Sequence, residues 1–482
     1  MQAQINRITD ILRRDDGISG AMHYTEQISW ILFLKFLDDY ETAHELESTL
    51  NGTEYTRLLD PVYERSSRAA PKKDGKLDHT KALVWDDLKD FVNTQLFPYL
   101  KSFRSVDNNY HSMKYKIGEI FYFLENRIEN WNTIREVIDI IDEMNFQSQS
   151  DLFELSKIYE DLLQGMGNDG GNSGEYYTPR AVIKAMVECL DPKIWETIYD
   201  GATGSCGFLI EAYQYLRPQA STTEQLTWLN HQALWGNEKT PIAYIMGVMN
   251  MILHGIENPN INKKNTLVDN IRDFEEKDAY DIILANPPFW WKEKDAIQSN
   301  FPIKTNATEM LFLQHFMKRL KTWGRSAIIV PEWVLFNTSN AFQEVKKQLL
   351  SDFNLHSIVS LPAGIFLPYS GVKTNIIFFD KTKATEQIRY YEIDLGRKLT
   401  KNKPITYEEL QSMISAFKKR EVWPHSWIVP SSEIKDYDLS AKNPANIKEI
   451  IHRAPNEIME DIIRTNTNIY QQLDNLQAIL KK

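Results

Sequence analysis

The ten residues Tyr280-Asp281-Ile282-Ile283-Leu284-Ala285-Asn286-Pro287-Pro288-Phe289 carry the reading of the fold. Ile-Ile-Leu-Ala is continuously apolar, the pattern of a strand buried on both faces of a parallel sheet. The Asn-Pro-Pro-Phe turn is then expected at a strand's carboxyl end, where open parallel sheets bind ligands. Two prolines fix φ and delete two backbone donors, which leaves the Asn286 side-chain oxygen and the Pro287 carbonyl as a rigid pair of acceptors. Such a pair suits an amino group conjugated to a heteroaromatic ring. Holding both of its hydrogens draws the nitrogen toward sp3 geometry and frees its lone pair, while Phe289 stacks on the ring. An arbitrary Pro-Pro pair is more often a plain turn, so the flanking sequence must decide.

On either side, strand patterns alternate with helical ones. The strands are expected at Glu196-Thr197-Ile198-Tyr199-Asp200, Ala233-Leu234-Trp235-Gly236, Ser326-Ala327-Ile328-Ile329-Val330, Ser357-Ile358-Val359-Ser360 and Asn375-Ile376-Ile377-Phe378-Phe379. Between them lie helical stretches such as 309–321, with Met310, Leu313, Phe316, Met317 and Leu320 on one side. This alternation predicts an α/β domain built on a doubly wound, mostly parallel sheet over residues 148–394. Residues 1–147 read as an all-helical domain without a catalytic constellation, clearest in the apolar stretch 28–37. Residues 65–76 are a polar excursion, after which Trp85, Phe91, Phe97 and Tyr99 restore a core. Residues 395–482 turn polar and helical again. Within them Ile447, Ile450, Ile451, Ile458, Ile462, Ile463, Ile469, Leu473, Leu476 and Ile479 recur every three or four positions, an amphipathic helix pair that needs a partner surface, either this chain's own core or another subunit.

Composition narrows the class. A length of 482 residues predicts two or three domains. The N-terminus lacks an apolar signal core and no stretch is long and apolar enough to span a membrane, so a cytoplasmic location without membrane contact is expected. Two cysteines, Cys189 and Cys206, exclude a disulfide framework, and the histidines show no paired metal spacing. A net charge of −11 argues against strong autonomous binding to nucleic acid.

The second decisive stretch is Asp200-Gly201-Ala202-Thr203-Gly204-Ser205-Cys206-Gly207-Phe208, which follows a strand and opens a helix. Gly204 and Gly207 let backbone approach a ligand, and Asp200 offers a carboxylate suited to a cationic group rather than to phosphate. Glu238 ends the next strand where doubly wound folds accept hydrogen bonds from ribose hydroxyls. Asn265 is the candidate for reading an adenine edge, with Asp269 as its rival. Upstream, Glu175-Tyr176-Tyr177-Thr178-Pro179-Arg180 follows a Gly/Asn-rich stretch, and Thr178 with Pro179 reads as a helix start with threonine as N-cap. That start is either a plain cap or a hinged lid whose helix N-terminus receives a carboxylate.

Tyr176-Tyr177-Thr178-Pro179, then 200–208, then Gly236-Asn237-Glu238, then 286–289, in that order, resembles the gamma-ordered N6-adenine DNA methyltransferases. More closely, the chain resembles the modification subunits of type I restriction-modification systems, over most of its length. Gly-Glu-Tyr-Tyr-Thr-Pro-Arg at 174–180, Glu309-Met310-Leu311-Phe312-Leu313-Gln314-His315 and the strands near 328 and 377 also fit. The resemblance implies a Rossmann-like, class I methyltransferase fold with S-adenosylmethionine as donor and adenine N6 of duplex DNA as acceptor. It implies that Asn286, Pro287, Pro288 and Phe289 hold the flipped base. Glu175, Tyr176, Tyr177, Thr178, Pro179, Arg180, Asp200, Ala202, Thr203, Gly204, Ser205, Cys206, Gly207, Phe208, Glu238 and Asn265 would form the cofactor site, with no metal. It further implies a separate specificity subunit that reads the DNA, bound by two modification subunits, and leaves open whether a nuclease subunit joins them. The terminal helices would meet the specificity subunit.

Two positions depart from the family's loop, which has Pro after Asp and Gly before the last Gly. Gly201 loosens the turn, and Cys206 adds a side chain where close backbone approach is usual. Transfer to N6 needs no covalent adduct, so Cys206 is not expected to be a nucleophile. Competing readings are methylation of guanine N2 in ribosomal RNA or of a glutamine amide, both of which use Asn-Pro-Pro turns, and a cofactor-binding scaffold of weak activity.

Overall fold

The computed structural model describes residues 2–73, 76–78, 80–83, 86–107, 109, 112–144, 178–256, 258–367, 370–400, 402–441, 443–444 and 455–480. They fall into two compact units, Met1–Ala441 and Lys442–Lys482.

The first unit is organised on a nine-stranded sheet. Its strands are β1 (Ile198–Asp200), β2 (Leu234–Glu238), β3 (Asn260–Lys263), β4 (Tyr280–Ala285), β5 (Leu320–Pro331), β6 (Asn354–Ser360), β7 (Thr374–Asp380), β8 (Gln387–Glu392) and β9 (Ser426–Pro430). Across the sheet the order is β3-β2-β1-β4-β5-β7-β6-β8-β9. The neighbours from β3 through to β5 are parallel, β7 runs antiparallel between β5 and β6, and β9 is antiparallel to β8. Chain order reverses beside β1, whose neighbours are β2 and β4. That is the switch point, where a crevice opens at the carboxyl ends of the strands.

The expected α/β class and the mostly parallel sheet are present, and β4 spans the residues read as a strand. Successive side chains leave a strand on opposite faces. Ile282 and Leu284 join one core cluster, while Ile283 and Ala285 join the other, all four fully buried. Ile282, Ile283 and Leu284 each contribute about 1.5–3 kcal/mol by leaving water.

The principal helices of this unit are α1 (Gln2–Leu12), α2 (Ala21–Asn51), α3 (Phe97–Val106), α4 (Met113–Phe123), α5 (Trp131–Asp142), α6 (Arg180–Leu190), α7 (Gly207–Leu216), α8 (Thr223–His231), α9 (Pro241–Leu253), α10 (Thr308–Arg319), α11 (Glu332–Phe336), α12 (Asn340–Asp352) and α13 (Gln411–Lys419). α6, α7 and α9 share one core with α1 to α5, and α10 and α12 pack into the other. The apolar stretch 28–37 is the buried middle of α2. The helical N-terminal region is bonded to the sheet: buried Lys116 donates to the Ile261 carbonyl at 2.7 Å, and the Tyr244 hydroxyl of α9 bonds Glu119. Burial pushes the Lys116 ammonium below its ordinary range.

Three strands went unread in the sequence, and β9 lies in the stretch read as polar and helical. Asn260–Lys263 alternates asparagine with its apolar residue, and Asn260 spends its amide on the His231 and Leu234 carbonyls. β8 and β9 carry Gln, Arg, Ser and Pro because they lie toward one edge of the sheet. Helix α10 stops at Arg319, and Leu320, read as its last apolar residue, begins β5.

The second unit contains α14 (Pro455–Leu480). Ile458, Ile462, Ile463, Ile469 and Leu473 are exposed. The positions Ile447, Ile450 and Ile451 lie outside the described residues.

Candidate functional site

Asn286 closes β4 at the crevice. Its Nδ2 donates to the Thr178 hydroxyl oxygen at 2.9 Å, which fixes the amide plane. Its Oδ1 is buried and has no partner among the described residues. A buried amide oxygen without a donor costs about 1–3 kcal/mol. Pro287 is buried, and no hydrogen bond reaches its carbonyl among the described residues. Phe289 is half-buried and meets Phe366 edge to face, with centroids 6.2 Å apart.

The contact to Asn286 corrects the reading of Thr178. Helix α6 starts one residue later than expected: Pro179 is its N-cap, and the Pro179 carbonyl accepts from Val182 and Ile183. Thr178 makes no cap, because its hydroxyl is turned to the amide 108 residues ahead.

The glycine loop lies against the neighbouring strand β2. Asp200 is fully buried; its Oδ1 accepts from Ala202 N–H at 2.9 Å, and Oδ2 has no partner among the described residues. Burial pushes this carboxyl up to about 8, the Ala202 amide opposes the shift, and the charge on Glu238 adds to it. Glu238 accepts from Gly204 N–H at 2.9 Å and from Thr240 N–H at 2.7 Å, one bond on each oxygen. The Thr240 side chain and the Lys239 backbone amide also hydrogen-bond this carboxylate. Burial raises the Glu238 pKa as well.

Gly204 has φ +49, and Cys206, the N-cap of α7, has φ +62. The departure at Cys206 thus places a side chain in the left-handed region that glycine adopts freely. Room for its thiol comes from the facing helix: a Cβ on Gly247 would stand 2.7 Å from Cys206 Sγ and 2.8 Å from the Gly204 carbonyl. Burial pushes the thiol well above its ordinary range, against a nucleophilic role. At Gly201 a Cβ would stand 2.8 Å from Phe316 and 3.1 Å from the Tyr199 hydroxyl, so the residue that departs from proline occupies a tight place.

Loop, β2 and the Asn286 turn converge on a small cavity of about 70 Å³ at the crevice. Of the residues singled out in the sequence, Ala202, Gly204, Glu238, Asn265, Asn286 and Pro288 line it, and so does Gly201. Asp200, Thr203, Cys206, Gly207 and Phe208 are buried around it, and Ser205 is half-buried with its carbonyl bonded by Asn250. Arg180 binds the Gly207 carbonyl at 2.9 Å, joining α6 to the loop. Asn265 Oδ1 caps the short turn at Leu267, and its rival Asp269, not itself on the lining, is paired at 2.5 Å with Lys264, which is. Glu175, Tyr176 and Tyr177 lie outside the described residues. The sequence reading missed Thr240, Trp291, Glu293, Thr308 and Phe312 on the lining. Only Thr240 carried a signal, as the threonine before Pro241 at the start of α9.

The N-6 DNA Methylase family model matches residues 148–453, and the HsdM N-terminal domain model matches residues 1–158. The chain belongs to the N-6 DNA methylases. Its relatives include methylase subunits of type I restriction enzymes. It is 35% identical to the EcoEI methylase subunit of Escherichia coli, over 99% of this chain and 96% of that one. It is 28% identical to the EcoKI methylase subunit of Escherichia coli K12, over 85% of this chain and 74% of that one. A solved structure described as a type I modification subunit from Vibrio vulnificus YJ016 superposes with a TM-score of 0.83 at 34% identity, covering 92% of this chain and 97% of that one. A chain from a type I restriction-modification assembly superposes at 0.78 with 37% identity, covering 99% and 98%. Over nearly its whole length this N-6 DNA methylase is thus similar to type I methylase subunits.

Proposed function

We propose that the chain methylates adenine N6 in DNA with S-adenosylmethionine as donor, through the residues that surround Asn286. The observation that carries this reading is the buried Asn286 Oδ1, without a partner among the described residues, next in the chain to the Pro287 carbonyl and in an amide held by Thr178. These two acceptors bind the two hydrogens of the amino group, and Phe289 stacks on its ring. The site's chemistry suits the donor: the Glu238 carboxylate at the end of β2 is an acceptor for a ribose diol, glycine backbone permits close approach, and the Asp200 oxygen that has no partner among the described residues matches a cation. Ala202, Gly204, Glu238 and Asn265 would hold the cofactor, with Thr178 to Arg180 beside them. S-adenosylmethionine supplies an electrophilic methyl carbon. The protein contributes orientation and the polarisation of the amine. Tritium transfer from labelled S-adenosylmethionine to DNA, measured with and without a co-expressed specificity subunit, tests the proposal. Label on RNA or protein and none on DNA would overturn it.

The acidic chain needs a partner to bring DNA to the clamp. The exposed apolar stripe of α14 is the surface proposed to meet a specificity subunit, two modification subunits to each, and the EcoEI and EcoKI relatives are methylase subunits by name.

Two expectations follow from the geometry. Thr178→Val removes the acceptor that orients Asn286, so kcat should fall about tenfold while the cofactor Kd stays within about twofold; Thr178→Ser should retain most activity. Equal kcat for the valine variant and wild type would dismiss the orienting role. The second concerns pH. Asp200 carries 3.8 unfolded and about 8 folded. A raised carboxyl contributes stability that is complete below about pH 4 and is lost as pH rises through about 8. A cationic ligand favours the ionised form, so its binding releases a proton. S-adenosylmethionine affinity should therefore rise from pH 6 to pH 8, and calorimetry in buffers of different ionisation enthalpy should detect the proton. Asp200→Asn should flatten the profile; a flat wild-type profile would contradict the assignment.

A further inference from the structure

Immediately after the clamp stands a residue that the reading above does not use. Trp290 is 61% exposed, although it follows a half-buried phenylalanine, and its φ of +69 lies in the left-handed region. The conformation is held from below: Trp290 N–H donates to Glu309 Oε1 at 2.7 Å, and Glu309 is a carboxyl only 4% exposed on α10. Its indole stacks on Trp333 of α11, centroids 5.2 Å apart and planes 25° apart, and Trp333 in turn packs on Phe342 of α12 at 5.2 Å. An aromatic column thus rises from the core and ends in solvent beside Asn286. Folding alone does not explain it, since the outermost ring gains little burial from a backbone conformation that disfavours side chains. Trp195 and Trp323 share the left-handed backbone and the exposure, but they stand before β1 and in the first half of β5, away from the carboxyl ends of the strands. Lys292, Lys294 and Lys304, on the segment that follows, are exposed and form no ion pair among the described residues. In an acidic protein these are available cations beside an exposed aromatic face, the combination that binds stacked bases and their phosphates.

We propose that the Trp290–Trp333 column receives the base stack of duplex DNA where the target adenine leaves it, Trp290 covering the exposed neighbouring base and the three lysines taking nearby phosphates. This rests on the adenine reading above. Trp290 is then a contact that favours the extrahelical adenine, distinct from the Asn286 clamp that activates it.

The test uses the modification subunit with its specificity subunit and a duplex containing the site that the wild-type complex methylates, mapped on random DNA. One duplex has the target adenine paired with thymine, and a second has it opposite an abasic site, which reduces the cost of extrusion. Trp290→Ala should lose at least about tenfold in kcat/KM on the paired duplex, as expected for one base–aromatic contact. On the abasic duplex it should come within about threefold of wild type, with S-adenosylmethionine affinity unchanged, and Trp290→Phe should keep most activity on both. Equal activity of Trp290→Ala and wild type on the paired duplex overturns the proposal. A loss of the same factor on both duplexes also overturns it, because the indole would then support the turn rather than extrusion. If mapping on random DNA finds no adenine N6 that the wild-type complex methylates, the adenine reading itself fails.

Discussion

Asn286→Ala abolishes methyl transfer, with a loss of at least about 10³-fold in kcat, while calorimetry still finds S-adenosylmethionine binding near wild-type affinity. The magnitude follows from the role. A preorganised group aimed at the reacting centre in a buried site contributes about 10²–10³-fold. Asn286 Oδ1 is also the side-chain half of a two-acceptor clamp, so its removal leaves the Pro287 carbonyl to act alone. The asymmetry between rate and binding follows from the structure. Asn286 adjoins the cavity, but the donor's expected contacts are on Gly204, Glu238 and Asn265. Truncation also removes the donor to Thr178, whose hydroxyl can turn to solvent, so the fold should survive. Full activity in this variant would sink the assignment of the turn, and a matching collapse of cofactor affinity would move Asn286 into the cofactor site.

The opposite division is expected at Glu238. Glu238→Ala should weaken S-adenosylmethionine binding by about 10–100-fold, because hydrogen bonds to a charged group contribute about 1.5–3 kcal/mol. A second effect acts in the same direction. The carboxylate anchors Gly204 N–H and Thr240 N–H, so its loss leaves two donors at the mouth of the cavity without their acceptor and loosens the glycine loop. Glu238→Gln keeps an acceptor for one amide and should fall between. At saturating cofactor both variants should recover most of kcat. An unchanged Kd in the alanine variant would remove Glu238 from the binding residues.

The legible parts of the fold were those where burial leaves a local trace. Tyr280–Ala285 and Thr374–Asp380 are apolar on both faces, so their runs of Ile, Leu and Phe announced central strands. Asn260–Lys263 gave no such trace because asparagine serves backbone carbonyls there, and Ser426–Pro430 fell in a stretch read as polar and helical because an edge strand tolerates proline and serine. At the site, the turn and the glycine loop were readable as motifs, since each is one continuous segment. The hydrogen bond between Thr178 and Asn286 joins residues 108 positions apart, and neither a cap pattern nor a strand pattern encodes it. Trp290 was hidden differently: nothing in a sequence says that the residue after a phenylalanine will be held in a left-handed conformation by a carboxyl on the next helix.

The pairing of Cys206 with Gly247 bears on the routes by which this loop can change. The thiol fits only while the facing helix position has no side chain, and a methyl group at 247 would meet both the sulfur and the Gly204 carbonyl. Substitutions at 206 and 247 are therefore not independent: what either position tolerates depends on what stands at the other. A lineage that restores glycine at 206 frees only part of the space at 247, because the backbone oxygen stays in place. The order of mutational steps therefore matters here, and a change that is neutral in one relative can be damaging when copied alone into another.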